Sequence, residues 1–178
     1  MQDVKEQFIA FWKDSGKEKL FKVRGTSMLP LIRETYSVGV LPLRASGELR
    51  IGDIALFQSP TGMVAHRIVG KIKKDGRTYL LEKGDTAIAP NIIASELVIG
   101  KVVRIHRPGS TINLNSRLWT FVNRSTGYYW HYLYSVSQTI YMVKKKLFGA
   151  SKLPRIAAAY QKTYLFLCSL PARLFRHK

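Results

Sequence analysis

The chain has 178 residues, and its 29 Lys and Arg residues against 11 Asp and Glu residues give a formal net charge of +18. This length corresponds to about one domain, which is long enough to bury a core of its own. The hydrophobic fraction of 46% excludes a fully disordered chain. Cys168 is the only cysteine, which excludes an internal disulfide framework and a cysteine-based metal site. No pattern in the sequence predicts a cofactor or a bound metal.

Residues 1–19 predict a short amphipathic helix. The apolar residues Val4, Phe8, Phe11 and Trp12 are spaced for one face of such a helix. The chain opens with acidic residues where a secretory signal peptide would be basic, so no signal peptide is expected. This favours the cytoplasmic side of a membrane.

Residues 20–106 predict a domain made mostly of short β-strands. Apolar and β-branched runs alternate with turns that contain glycine and proline. The predicted strands cover residues 20–24, 36–41, 54–57, 63–72, 78–82 and 97–105. Short strands at this density indicate a compact, barrel-like or folded antiparallel sheet.

Residues 107–178 predict a helical extension. The first helix has apolar residues at alternating spacings of three and four, which is the pattern of one helix face: Leu133, Val136, Ile140, Val143 and Leu147. A break at 149–154 separates it from a second helical stretch, 155–170. The run Ser125–Val143 lacks charged residues, but its tyrosines and small polar residues make it too polar to predict a membrane span.

The charges are divided unevenly along the chain. Residues 1–103 hold 16 Lys and Arg and all 11 acidic residues, whereas residues 104–178 hold 13 Lys and Arg and no acid. Together with the tyrosines near residue 130, this predicts peripheral binding to an anionic membrane surface. Packing of the helices on the β domain, with the lysines solvated, explains the periodicity equally well. Nucleic acid ranks below both partners, because no known binding module is present. The sequence does not indicate an oligomeric state.

Ser27 lies in a stretch that predicts an irregular, exposed turn. The segment Gly25-Thr26-Ser27-Met28-Leu29-Pro30 follows a strand-like run, and the residue before a proline disfavours the helical conformation. A simple turn stabilised by the serine is one explanation. The other is a nucleophile, which needs a neighbouring base and a third group that orients the base. His66 and Asp85 follow along the chain as candidates for these roles.

Three sequence blocks resemble those of signal peptidase I, in the same order and at similar intervals. They comprise residues 25–30, residues 52–57 with 64–70, and residues 83–85. The family belongs to the clan of the LexA-type self-cleaving repressors, and the resemblance covers residues 20–104. It implies the folded antiparallel sheet of that clan. Most bacterial members have a lysine as the base. This chain has His66 at that position, which resembles the endoplasmic-reticulum, archaeal and sporulation types.

The resemblance also implies roles for individual residues. Ser27 would be the nucleophile, His66 the general base and Asp85 the orienting acid. The remaining motif residues Gly25, Met28 and Pro30 would bind substrate or the oxyanion. The implied reaction is cleavage of a peptide bond in a peptide or protein through an acyl-enzyme, typically after a small residue near a hydrophobic segment.

Two positions depart from the family pattern. His-type members usually have a further aspartate about six residues past the Gly-Asp turn, where this chain has the uncharged Asn91, a candidate secondary orienter. Some members have a hydroxyl two residues before the nucleophile, and Gly25 has none. The backbone N–H of Ser27 would then provide more of the oxyanion stabilisation, which is worth roughly 3 kcal/mol per donor in serine proteases.

These observations predict a signal-peptidase-like serine endopeptidase that is peripherally attached to a membrane. An inactive protein of the same fold that binds peptide or membrane is the first alternative, and the departure at Asn91 motivates it. A LexA-like regulator is the second alternative. It is disfavoured because no helix-turn-helix precedes residue 20 and the base position is not lysine.

Overall fold

The protein is mainly β with a C-terminal helix, as the sequence predicts. The structure is a computed structural model, and it describes residues 2–60 and 62–148. The helices are α1 (Gln2–Ser15) and α2 (Arg117–Phe148). The strands are β1 (Lys19–Lys22), β2 (Ser37–Pro42), β3 (Ile54–Ser59), β4 (Gly62–Lys74), β5 (Arg77–Lys83), β6 (Asn91–Ala94), β7 (Val98–Arg107) and β8 (Ser110–Asn113). The stretch predicted as a second C-terminal helix, 155–170, lies outside the described residues.

All the strand pairs are antiparallel and form one curled sheet. Its order is β1-β2-β7-β3-β4-β5-β6, and β8 pairs with the end of β7. Strand β7 joins two parts of the sheet, because it pairs with β2 on one side and with β3 on the other. Register shifts interrupt three of the strand pairs, at 39–40, 56–57 and 68–70. Such bulges add local bend and twist, which curls the sheet.

The sequence did not predict β6 or β8. Strand β6 contributes only four residues and directly follows Pro90, so its pattern is too short to separate from a loop. Strand β8 lies within 107–178, the region predicted as helical extension, and the extension therefore begins with α2 at Arg117. Ser116 starts this helix, because its carbonyl oxygen accepts a hydrogen bond from Thr120 N at 2.8 Å and its Oγ accepts one from Trp119 N at 3.4 Å.

Helix α1 packs on the β domain through a face that includes Trp12 of the predicted set but not Phe11. Ile9 and Trp12 are buried in the main core cluster, and the Trp12 ring lies 5.4 Å from the Phe21 ring. Phe11, predicted to share that face, is 75% exposed. The side chains of Val4 and Phe8 lie outside the part of the chain that the structure describes.

Helix α2 packs against the β4 and β5 side of the sheet. Trp130 joins Val69 and Leu81 in a buried cluster. Gly127 meets Gly52 so closely that a Cβ on Gly127 would lie 2.4 Å from the Gly52 nitrogen, so the contact requires a glycine. The predicted packing of this helix on the β domain is therefore observed. Neither α1 nor the described part of α2 has the length and apolar character needed to cross a bilayer.

Candidate active site

Ser27 and His66 lie within hydrogen-bond distance of each other. Ser27 is in an exposed turn after β1, and His66 is in β4, so the pair joins positions that are 39 residues apart in the chain. The distance from Ser27 Oγ to His66 Nε2 is 2.9 Å. The structure thus brings together the two residues that the sequence predicted as nucleophile and base.

The other nitrogen of the His66 ring contacts a carboxylate that the sequence did not predict. His66 Nδ1 lies 2.5 Å from Glu82 Oε2, and the Glu82 side chain is only 5% exposed. Because an ionised carboxylate can only accept a hydrogen bond, the His66 tautomer that fits both contacts has its proton on Nδ1 and accepts a hydrogen bond from the Ser27 hydroxyl at Nε2. A hydroxyl, an imidazole and a carboxylate in this order have the geometry that serine hydrolases use for nucleophile, base and orienting acid.

Asn91 supports this carboxylate and does not contact His66. Its Nδ2 donates a hydrogen bond to Glu82 Oε1 at 3.0 Å. Asn91 and Glu82 are directly paired across β5 and β6. Asn91 is therefore a positioning residue that acts through Glu82, and the negative charge missing at position 91 is provided by Glu82.

The prediction that Asp85 orients the base is wrong. Both carboxylate oxygens of Asp85 accept hydrogen bonds from Arg67, from Nε and Nη2, each at 2.8 Å. Each His66 nitrogen already has a partner, so the ring has no site left for Asp85. Arg67 is almost fully buried, and its Nη1 also donates to Asn123 Oδ1 of α2 at 2.8 Å.

A β-bulge explains why Glu82 and not Asp85 lies beside the base. From the hairpin turn inward, β4 and β5 pair regularly from Lys74↔Arg77 to Gly70↔Leu81. Continued without a break, this register would place His66 opposite Asp85. The irregularity between Ile68 and Gly70 shifts the register by one residue and pairs Ile68 with Glu82. Because side chains alternate between the two faces of a sheet, this shift puts Glu82 on the His66 face and Asp85 on the other.

The turn after β5 holds Ser27 in place. The Ser27 carbonyl oxygen accepts hydrogen bonds from Thr86 N at 3.0 Å and from Thr86 Oγ1 at 3.1 Å. A Cβ added to Gly84 would lie 2.9 Å from the Ser27 carbonyl oxygen and 3.2 Å from His66 Nε2. The Gly-Asp motif therefore has a structural role at this site: glycine allows the close approach, and Asp85 anchors the turn to Arg67.

Helix α2 supports the same turn from the opposite face of the sheet. Lys83 is 2% exposed, its Nζ donates to the Gly84 carbonyl at 3.1 Å, and it lies 3.4 Å from the centre of the Trp130 ring. Such a cation–π contact is stronger when it is shielded from water. On the α2 side of the sheet, Lys83 thus holds the carbonyl of Gly84, and Arg67 holds the side chain of Asp85.

A groove of about 310 Å³ leads to Ser27 and His66. Its two sides are the segment 21–25, which includes the end of β1, and residues 63–66 of β4. Strand β1 is at the end of the strand order, and the first half of β4 pairs only with β3, since its pairing with β5 begins at Arg67. Among the described residues, both segments therefore present unpaired backbone edges, which can accept an extended peptide.

Two of the three residues predicted to bind substrate or the oxyanion lie in the groove. Gly25 and Met28 line the groove, whereas Pro30 does not. The N–H of Gly25 donates to Glu34 Oε1 at 2.8 Å, so it is not available to an oxyanion. Within the described chain, the N–H of Ser27 donates to no protein acceptor, and it is the candidate oxyanion donor next to the nucleophile.

No protein-family model, no curated protein and no solved structure matches this chain. The similarity to signal peptidase I therefore depends on the sequence blocks named above. In the part of the chain that the structure describes, no group of His, Cys, Asp and Glu side chains is arranged to hold a metal ion.

Proposed function

We propose that the protein is a serine endopeptidase of the Ser-His type, similar to signal peptidase I, which cleaves a leader peptide or a membrane-associated peptide. The observation that carries this proposal is the contact between Ser27 Oγ and His66 Nε2 at 2.9 Å, with the Glu82 carboxylate on the other side of the ring. The groove beside Ser27, with a backbone edge on each side that is unpaired among the described residues, supports a peptide as the substrate.

The proposed reaction uses these groups in the order of an acyl transfer. His66 Nε2 takes the hydroxyl proton while Ser27 Oγ bonds to the peptide carbonyl carbon, and the backbone N–H of Ser27 stabilises the resulting oxyanion. The protonated His66 then gives its proton to the departing amine, which leaves an acyl-enzyme. A water molecule, deprotonated by His66, releases the acyl group and restores Ser27. Glu82 stabilises the positive charge on His66 during both steps.

Glu82 also favours an enzyme over an inactive binding protein. The inactive alternative was motivated by Asn91, an uncharged residue where the family has an acid. The nearly buried carboxylate of Glu82 beside His66 Nδ1 removes the reason for that alternative, because it provides the negative charge that stabilises an imidazolium.

The test compares wild-type protein with Ser27→Ala on a peptide library of mixed sequence. Mass spectrometry of the products should find new peptide termini with wild type and none with Ser27→Ala or His66→Ala. Ser125→Ala removes an exposed serine on α2 and is the matched control, which should cleave as wild type does. The same set of termini with wild type and Ser27→Ala would refute the proposal.

We also propose that the outer face of α2 docks on an anionic membrane. The inner face is buried at Asn123 and Trp130, whereas large apolar side chains on the opposite face are 57% to 69% exposed: Leu118, Phe121, Tyr128 and Tyr132. They follow each other at helical spacing. The helix has no acidic residue, and its basic residues lie near its two ends, at Arg117 and Arg124 and at Lys144, Lys145 and Lys146. Exposed aromatic residues with adjacent cations are typical of helices that bind anionic lipid surfaces.

Sedimentation with vesicles tests this second proposal. Wild-type protein should bind vesicles of phosphatidylcholine and phosphatidylserine more strongly than vesicles of phosphatidylcholine alone, and added salt should reduce the difference. Phe121→Ser/Tyr132→Ser should reduce binding. Ile88→Ser/Ile92→Ser, which changes similarly exposed residues on and before β6, should not. Equal binding by both double variants would contradict a role for this helix face.

A further inference from the structure

The substrate groove carries two cations on one side. Side chains alternate along β1 and the residues after it: Phe21 and Val23 pack against the core, whereas Lys22 and Arg24 are exposed. All four of these residues line the groove that leads to Ser27. An extended peptide in this groove would therefore pass two positive charges before it reaches the nucleophile.

These two cations are unneutralised in the part of the chain that the structure describes. Neither Lys22 nor Arg24 has a side-chain hydrogen bond or an ion pair there, and no carboxylate lines the groove. Glu34 is the acidic residue nearest in sequence to the segment 25–30, and it accepts a hydrogen bond from the backbone N–H of Gly25. A peptide carboxylate would thus find partners that no group of the protein already occupies.

The spacing of the pair defines the pattern that fits. Residues two apart in an extended strand point to the same side and lie about 7 Å from each other. The pairing on the inner side of β1 continues past Lys22, because Val23 N donates to the Tyr36 carbonyl oxygen at 3.0 Å. A peptide that pairs with the free edge of β1 and of this continuation has the same repeat, so its own side chains at positions i and i+2 are in register with Lys22 and Arg24.

We propose that Lys22 and Arg24 select an extended peptide with two acidic residues separated by one position. This inference depends on the proposed peptidase function, since it assigns the substrate class of the same groove. Each ion pair between a peptide carboxylate and Lys22 or Arg24 would be solvent-exposed, so its contribution to binding is modest. A peptide with Glu-x-Glu in register should bind about three- to tenfold more tightly than its Gln-x-Gln counterpart at low ionic strength. The preference should nearly disappear at about 1 M salt, where charges are screened within about 3 Å.

The experiment measures peptide binding to the full-length Ser27→Ala protein, which cannot cleave the ligand. The probes are capped decapeptides of Ala and Ser with a neutral fluorophore, in which a Glu-x-Glu pair is moved along the sequence, with a matched Gln-x-Gln set. Fluorescence anisotropy gives each dissociation constant. We expect one register to show the acidic preference.

Charge reversal locates the preference in the groove. Lys22→Glu/Arg24→Glu should reverse the preference in favour of Lys-x-Lys peptides. Lys73→Glu/Lys74→Glu makes the same change of charge on two exposed lysines at the far end of β4 and should leave the preference intact. Equal affinity for acidic and neutral peptides, or no detectable peptide binding, would overturn the proposal.

Two further outcomes separate this inference from others. If Lys22→Glu/Arg24→Glu lowers binding to anionic vesicles but leaves peptide discrimination unchanged, the pair contacts lipid and the proposal is overturned. If the acidic preference is absent but the wild-type protein still produces Ser27-dependent peptide termini, only the substrate class is wrong and the peptidase function stands.

Discussion

Glu82 and Asp85 are the two carboxylates that could orient His66, and exchanging each for its amide distinguishes them. Glu82→Gln keeps the size of the side chain and removes the negative charge beside the ring. Asp85→Asn removes the charge that faces the buried Arg67. We predict that the first change lowers reactivity with little loss of stability, and that the second lowers stability first.

The expected magnitudes follow from the two environments. At about 4 Å between charge centres and an effective dielectric constant of about 20, the attraction between imidazolium and carboxylate is about 4 kcal/mol, or about a thousandfold in rate. Loss of one partner of a buried ion pair costs at least about 3 kcal/mol of folding free energy. For a chain of this size, that corresponds to a decrease in Tm of roughly 6 to 12 °C.

Intact-mass spectrometry provides the assay, because it measures the rate at which a serine-directed reagent, such as a fluorophosphonate or a penem, modifies Ser27. Thermal unfolding followed by circular dichroism gives Tm for the same variants. Ser27→Ala controls for modification elsewhere. A Glu82→Gln variant that reacts at the wild-type rate, together with an Asp85→Asn variant that is stable but unreactive, would refute the assignment and restore Asp85 as the orienting acid.

Three further predictions concern the residues that support the site. Gly84→Ala should reduce the rate of serine modification by more than about tenfold, because the new Cβ pushes on the nucleophile and the base, and a wild-type rate would contradict the tight contact. Asn91→Ala removes the donor to Glu82 and should reduce the same rate less than Glu82→Gln does; an equal or larger loss would show that Asn91 acts directly. Trp130→Ala should cost about 3 to 5 kcal/mol of unfolding free energy in denaturant titrations, whereas the exposed Tyr132→Ala should change it by less than about 0.5 kcal/mol. Similar losses for these two aromatic variants would contradict the observed packing of α2.

The sequence predicted most of the strands because each carries its own signal. Alternating apolar residues and glycine or proline turns are local features, so the predicted runs match β1 to β5 and β7 closely. Strand β6 lacks such a pattern, and the start of α2 depends on Ser116, whose role as a helix cap is visible only beside the helix it begins. On α1, the sequence predicted the burial of Trp12 correctly but that of Phe11 wrongly, because a short helix with several apolar residues allows more than one packing.

At the candidate site, the sequence by itself singled out Ser27 and His66, through the turn before Pro30 and the block around His66, and the structure places their side chains 2.9 Å apart. Only the tertiary structure decided which carboxylate lies beside His66. A one-residue bulge at 68–70 changes which β5 side chains share the His66 face, and it exchanges Asp85 for Glu82. Strand register is set by pairing between segments and not by the pattern within either one, so sequence spacing alone points to the wrong carboxylate.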